Sequence, residues 1–148
     1  LVDMGAESFL AATALRAVVA QWLVRRLCDN CFVDHELESK DAAWVAATLN
    51  TQESNIKLKK AKGCHRCNNT GYRGRIGVFE LLILNSALAD ALRRADAAEF
   101  VKIAKTTPGY QPLVVSALKF AQQGITSLEE VFRVAEQIDE SEDFMDVA

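Results

Sequence analysis

The segment GCHRCNNTGYRGRIGVFELL, from Gly63 to Leu82, carries the strongest structural signal in this sequence. It opens with a Cys-x-x-Cys pair, passes through a glycine-rich turn and continues to Leu84 as a nearly continuous apolar run whose only charge is Glu80. Such a run, bounded by glycine and asparagine, predicts a β-strand covered on both faces, as in an α/β sheet. We therefore predict an α/β fold in which a cysteine knuckle leads into a core strand.

The chain contains four cysteines, in two pairs of identical Cys-x-x-Cys spacing separated by 32 residues. Each pair lets two thiolates reach one metal ion, and two pairs complete the tetrahedral sulfur shell that zinc prefers. The separation exceeds the usual gap of about 15 to 20 residues, and an inserted helix explains the excess. Four thiolates leave no open position for water, so the predicted zinc is structural, one per chain. Its predicted ligands are Cys28, Cys31, Cys64 and Cys67.

Three other uses of these cysteines remain as alternatives. Disulfides need an oxidising compartment, and the sequence shows no secretion signal. A redox Cys-x-x-Cys needs only one pair, in a βαβ setting, and iron–sulfur clusters use other spacings. His35 and His65 lie near the two pairs, and either could replace a cysteine as ligand, although surface or outer-shell roles are the simpler expectation.

Local patterns predict several helices. Leu15, Val18, Val19 and Trp22 follow helical spacing and predict an amphipathic helix from Glu7 to about Leu23. Capping residues, prolines and glycines predict four short helices at the C-terminal end. Because these helices carry their own caps and apolar stripes, we expect them to stay folded if the cysteine segment unfolds. The predicted starts are Ser39 for the inserted helix, which runs to Leu49, and Ser86, Asp96, Pro112 and Ser127 for the last four.

Composition narrows the class of protein. The 148 residues are 50% hydrophobic and 25% charged, which suits a globular core, and no apolar run is long enough for a membrane span. The net charge of -3 hides two blocks of opposite sign. The segment from Ser54 to Phe79 holds seven basic residues and no acid, whereas Glu136 to Ala148 holds six acids and no base. Such asymmetry indicates a partner surface or a solvated tail.

The sequence contains no complete active site of a known type. None of the seven glycines is followed by lysine, so a phosphate-binding P-loop is absent from these residues. Gly-x-Ser-x-Gly, His-Glu-x-x-His and the histidine-led deaminase signature are absent as well.

Four features together resemble one family, the ATPases of bacterial type II secretion and type IV pilus assembly, MSHA-type pilus ATPases included. They are LVDMGAESFLAATALRAVVAQWLVRRLC, the paired cysteines, GCHRCNNTGYRGRIGVFELL and GITSLEEVFRVAEQ, and they cover almost the whole chain in the family's order. The resemblance implies the C-terminal part of a RecA-like P-loop ATPase core, with an inserted tetracysteine zinc subdomain and a C-terminal helical region. The loop and acids that bind ATP and magnesium would lie upstream.

The resemblance also implies a layout along the chain. Residues 1–27 would end the RecA-like core with a helix and a strand, 28–67 would form the zinc subdomain, 68–85 would supply core strands, and 86–148 would form the helical region with its acidic tail. Arg73 and Arg75 match the family's sequence and would approach nucleotide or a neighbouring subunit. Trp22 stands where the family more often has arginine, so a polar role does not carry over to that position.

These expectations describe a portion of a larger machine. We expect a homo-hexamer in the cytoplasm, peripheral at the inner membrane, that contacts membrane platform proteins and does not bind nucleic acid. The portion seen here would be inactive alone and would supply the zinc site and the subunit or partner contacts. The alternative is an independent zinc module that binds nucleic acid or protein through its basic 57–75 region, with binding that weakens steeply as salt rises.

Overall fold

The computed structural model describes residues 5–143, with side chains up to Glu136, as a mixed α/β arrangement of helices and short sheets. None of its described helices combines the length and the apolar character needed to cross a bilayer. In chain order the elements are α1 (Ser8–Ala14), β1 (Ala17–Leu27), β2 (Val33–His35), α2 (Ser39–Leu49), β3 (Leu58–Lys60), β4 (Tyr72–Ile83), α3 (Ser86–Arg93), α4 (Ala97–Thr106), α5 (Leu113–Gln122) and α6 (Leu128–Asp143).

The elements form two compact units. Of the described residues, the cysteine unit contains Gln21–Val78 and 112–143, and the helical unit contains 5–20 and Phe79–Gln111. Strands β1 and β4 contribute residues to both units. Each unit has its own apolar core.

The sequence-based prediction of one helix from Glu7 to about Leu23 is wrong for the second half of that segment, which forms strand β1. Only α1 is helical there, and β1 pairs with β4 in a two-stranded sheet. At one end the Leu84 N–H donates to the Arg16 carbonyl (3.0 Å), and at the other the Cys28 N–H donates to the Gly71 carbonyl (2.9 Å), so the strands are antiparallel. The valines of β1 are β-branched and favour a strand, and the distant β4 supplies its hydrogen bonds.

Strand β4 forms where the sequence predicts a strand, but it is not buried on both faces as predicted. Val78 and Leu82 are buried, whereas the alternating residues Phe79, Leu81 and Ile83 are 52%, 46% and 62% exposed. A two-residue alternation of this kind is typical of a sheet with one covered face. Within the described residues, β4 is therefore covered on one face, not on both.

The helical unit packs α1 and α4 against α3. Asn85, one residue before the predicted start, caps α3 by accepting a hydrogen bond from the Leu88 N–H (2.9 Å), and Asp96 caps α4 as predicted through the Glu99 N–H (3.0 Å). Tyr110 donates from its hydroxyl to Glu80 of β4 (2.9 Å). Burial, together with this carboxylate, raises the pKa of Tyr110 to about 12.

The cysteine unit joins the cysteine-bearing segment and the last two helices in one core. The antiparallel pair β2 and β3 places Val33 opposite Lys60, and α2 has the bounds predicted from its spacing. Val45 of α2 and Leu58 of β3 are buried against α5 and α6. The core consists of Val24, Val45, Leu58, Val78, Leu113, Ala117, Leu118, Ala121, Leu128, Val131 and Val134. Of the predicted acidic tail, the side chains beyond Glu136 lie outside the described residues.

Candidate metal centre and the neighbouring arginine cluster

The two cysteine pairs meet in space. The four sulfur atoms all lie within 4.8 Å of one another, and no disulfide joins them. The distances between sulfur atoms are 3.9 Å for Cys28 and Cys64, 3.8 Å for Cys31 and Cys67, and 3.8 Å for Cys64 and Cys67. Zinc–sulfur bonds of about 2.3 Å in a tetrahedron place neighbouring sulfurs about 3.8 Å apart, so the four thiols could hold a metal ion and their spacing is compatible with zinc.

Local backbone geometry holds each pair in a tight turn. The Cys31 N–H donates to the Cys28 carbonyl (3.1 Å), and the Cys67 N–H donates to the Cys64 carbonyl (3.1 Å). Gly71 then takes a φ of +77°, in the left-handed region, and a Cβ atom at this position would lie 2.4 Å from the Cβ of Ala61. Only glycine fits the turn that carries the chain from the second pair into β4.

Amide hydrogens point at the sulfur atoms. The backbone N–H groups of Cys64 and Gly71 both donate to the Cys67 sulfur at 3.2 Å, and the side-chain amide of Asn30 donates to the Cys64 sulfur at 3.5 Å. Such donors stabilise negative charge on sulfur, which is the charge that a metal ligand carries. Asn30 was not singled out from the sequence, although its place inside the first Cys-x-x-Cys pair was a signal.

Burial and these hydrogen bonds give the thiols different pKa values. Burial raises the pKa of the Cys64 thiol, but the Asn30 amide and backbone N–H groups outweigh it and lower the value to about 6. Burial raises the pKa of Cys31 to about 12, with the neighbouring cysteines adding to the shift. The pKa of Cys67 is lowered, since backbone N–H groups outweigh burial there too. A set of thiols so close together needs a cation before all can ionise.

The histidines stand apart from the sulfur cluster. The group of potential ligands in the described residues consists of the four cysteines alone. His35 lies in β2 opposite Leu58, and its buried Nδ1 has no hydrogen-bond partner among the described residues. His65 is exposed in the second knuckle. A metal ion held by all four sulfurs would have no open coordination position, so it would fix the chain and would not activate water.

Substitution of Asn30 tests whether hydrogen bonds to the sulfur atoms help to retain the metal. We expect Asn30→Asp to lose zinc to a competing chelator about ten-fold more readily, because a carboxylate would replace the amide donor and repel the Cys64 thiolate. Asn30→Ala should show a smaller effect of the same sign. The measurement is zinc transfer to a colorimetric chelator. Asn55→Ala, on an exposed 3-10 turn, is the control. Equal zinc retention in Asn30→Asp and wild type would contradict the role assigned to this amide.

A second polar cluster joins β1 to the start of α6. The Glu130 side chain is 4% exposed and accepts hydrogen bonds from the Arg25 backbone N–H (2.7 Å) and Nε (2.9 Å), while Arg25 Nη2 lies 2.8 Å away. Arg133 Nη1 adds a contact at 3.1 Å. The Arg25 guanidinium also lies 4.0 Å from the centre of the Tyr72 ring, whose hydroxyl bonds Ser127 at 2.7 Å. The sequence marks Glu130 as a capping residue but gives no sign of its partner Arg25.

Arg75 lies beside this cluster. It lines a cleft of about 360 Å³ together with Trp22, Arg25, Glu130 and Arg133. Arg73, on the same strand, is exposed. The structure therefore places Arg75, and not Arg73, beside a cleft with an excess of positive charge, since Glu130 is the one acid among the described residues that line it.

Comparisons with known proteins identify the family of this chain. The model of the Type II/IV secretion system protein family matches residues 1–133. Type II secretion system ATPase E of Vibrio cholerae is 37% identical over 93% of this chain and 26% of its own length. Type IV pilus assembly ATPase PilB of Thermus thermophilus is 37% identical over 88% of this chain and 15% of its own length. This chain thus spans about a quarter or less of these relatives. It belongs to the Type II/IV secretion system protein family.

Proposed function

We propose that this chain is the C-terminal portion of a cytoplasmic ATPase that powers type II protein secretion or type IV pilus assembly. The observation that carries the proposal is the family match over residues 1–133. The similar proteins are named as a secretion ATPase and a pilus assembly ATPase. In this proposal the nucleotide is bound by an upstream P-loop with magnesium, and the chain adds to a RecA-like core.

The portion described here would have a structural task. Zinc at Cys28, Cys31, Cys64 and Cys67 would fix residues 28–67, in which Val45 and Leu58 are the buried residues other than cysteine. Apparent zinc binding of about 10 to 16 kcal/mol, as in zinc-finger peptides, is large beside the stability of a small domain. A unit made rigid in this way suits the transfer of force between subunits of a hexamer and an inner-membrane platform protein, with the ATPase peripheral to that membrane.

Arg75 is the residue of this portion best placed to reach nucleotide or a neighbouring subunit. It is exposed, and the Trp22, Arg25 and Arg133 side chains line the same cleft. Glu130 is already engaged by Arg25 and Arg133, so it does not neutralise Arg75 as well. Guanidinium groups bind phosphate and carboxylate oxygens in pairs, and either ligand would suit this position. Arg73 belongs to the same proposal through its exposed place on β4.

The test uses the longer parent protein and the present chain side by side. In the parent, Arg75→Ala should lower ATP turnover at least about ten-fold, because a group that stabilises charge on transferring phosphate is worth this much or more. Lys105→Ala, on exposed α4, is the matched control. The purified 148-residue chain should contain one zinc ion and hydrolyse no ATP. Turnover by that chain, or a metal-free preparation that stays folded, would overturn the proposal.

The alternative of an independent nucleic-acid-binding zinc module is not favoured. The relatives named above are ATPases of secretion and pilus machines. The basic residues of the 57–75 region are also divided, since Lys57 and Lys59 line one cleft and Arg75 lines another. A phosphate backbone is usually tracked by a continuous basic stripe.

A further inference from the structure

We propose that a groove beside the first cysteine pair binds an acidic peptide segment of a partner protein, with one apolar side chain of that segment seated on Phe32. The groove lies within the cysteine unit and has a volume of about 320 Å³. The proposal names a partner surface that the proposed function leaves open, and it depends only on the chemistry of the groove. The lining residues are Arg26, Asp29, Phe32, Lys57, Lys59 and the segment 122–125.

The charge of the groove favours an acidic ligand. Three basic side chains and one acidic side chain line it. Arg26 and Lys57 are exposed, and neither forms an ion pair with another described side chain. Lys59 is paired with Asp34, and its ammonium group holds the pKa of that carboxyl below its usual value. Two cations therefore remain available for carboxylates of a ligand.

Phe32 supplies the apolar contact. Its side chain is 39% exposed, and the Lys59 ammonium lies 5.6 Å from the centre of its ring. Aromatic side chains are enriched in protein–protein interfaces, and a nearby cation is attracted to the face of the ring. An apolar side chain laid on this ring would remove both surfaces from water, whereas a purely acidic ligand would leave the ring exposed.

The end of α5 favours a peptide over nucleic acid. Gln122 and Gln123 line the groove with exposed side-chain amides, each of which offers donors and an acceptor to a peptide backbone. The volume accommodates a few side chains and not a length of duplex.

The experiment measures fluorescence anisotropy of a labelled peptide, GEDEFDEG, with the zinc-loaded chain. We expect a dissociation constant on the order of 100 μM, typical of a weak docking segment. Arg26→Glu with Lys57→Glu should weaken binding at least ten-fold. The control pair Lys40→Glu with Lys105→Glu makes the same change of net charge on exposed helix positions and should change binding less than two-fold.

A second arm tests the apolar contact. The peptide GEDESDEG, in which serine replaces phenylalanine, should bind at least five-fold more weakly to wild type but no more weakly to Phe32→Ser. Zinc content and circular dichroism establish that each variant is folded. Equal binding of both peptides to wild type, equal losses in the two charge-reversal pairs, or displacement of the peptide by an equal concentration of a single-stranded DNA octamer would each overturn the proposal. The binding measurements do not depend on ATP turnover by the parent protein. A negative binding result would therefore overturn this proposal without affecting the proposed function.

Discussion

Cys64→Ser is expected to release the metal and to unfold the whole cysteine unit, α5 and α6 included. The sequence alone predicts a smaller effect, in which residues 28–67 unfold while the last helices persist. The structure argues against this separation, because Val45 and Leu58 of the cysteine-bearing segment share one core with buried residues of α5 and α6. Loss of a zinc centre comparable to that of zinc-finger peptides, about 10 kcal/mol, would exceed the total stability of many small domains.

Hydrogen exchange read by mass spectrometry can separate the two outcomes. In Cys64→Ser, amides of α2, α5 and α6 should lose protection together, while those of α3 and α4 keep more of theirs, because their core lies in the helical unit. His65→Ser changes an exposed neighbour in the same knuckle and should keep both the metal and the protection. Protection that persists in α5 and α6 of the metal-free variant would show that the last helices fold independently.

Features fixed by neighbouring residues were predictable from the sequence. The Cys-x-x-Cys spacing predicted that four thiols meet, and they do. The α2 bounds and the Asp96 cap of α4 also followed, because helix periodicity and capping depend on residues within one or two turns. Family membership followed from the GCHRCNNTGYRGRIGVFELL stretch and the motifs around it.

Features that depend on distant partners were not predictable in this way. Residues 17–23 fit helical spacing, yet they form a strand because β4 (Tyr72–Ile83), far away in the sequence, supplies hydrogen bonds. The one-sided burial of β4 likewise depends on which elements cover it, not on its own apolar run. Arg25 and Glu130 are 105 residues apart in sequence, so no local pattern could pair them.

Glu130→Gln is expected to lower the free energy of unfolding by about 2 to 4 kcal/mol at pH 7. The carboxylate is buried and accepts hydrogen bonds from Arg25 and Arg133, and removal of one partner from a buried pair leaves the other charge uncompensated. The expected value lies toward the lower end of what buried pairs cost, since the Arg25 side chain is 40% exposed and water screens it. Urea denaturation of the zinc-loaded chain provides the measurement.

The pH dependence distinguishes loss of the ion pair from a simple packing defect. Burial raises the pKa of Glu130, but hydrogen bonds from Arg25 and the charge of that residue outweigh it, so the pKa in the folded chain is lowered. The ionised Glu130 therefore contributes its full stabilisation at pH values above the ordinary glutamate pKa of about 4.3. This contribution decreases as the pH falls from that value through the lower pKa of the folded chain.

The stability gap between wild type and Glu130→Gln should therefore be constant from about pH 8 to 5.5 and shrink only below about pH 4.3. Glu129→Gln is the matched control, since Glu129 is exposed and accepts one hydrogen bond from Tyr72 (3.0 Å). It should cost less than about 1 kcal/mol. Comparing the two variants at each pH cancels any loss of metal in acid, which both would share. A gap that stays the same down to pH 3.5 would assign the effect of Glu130 to packing, because a packing defect does not depend on protonation of the carboxylate.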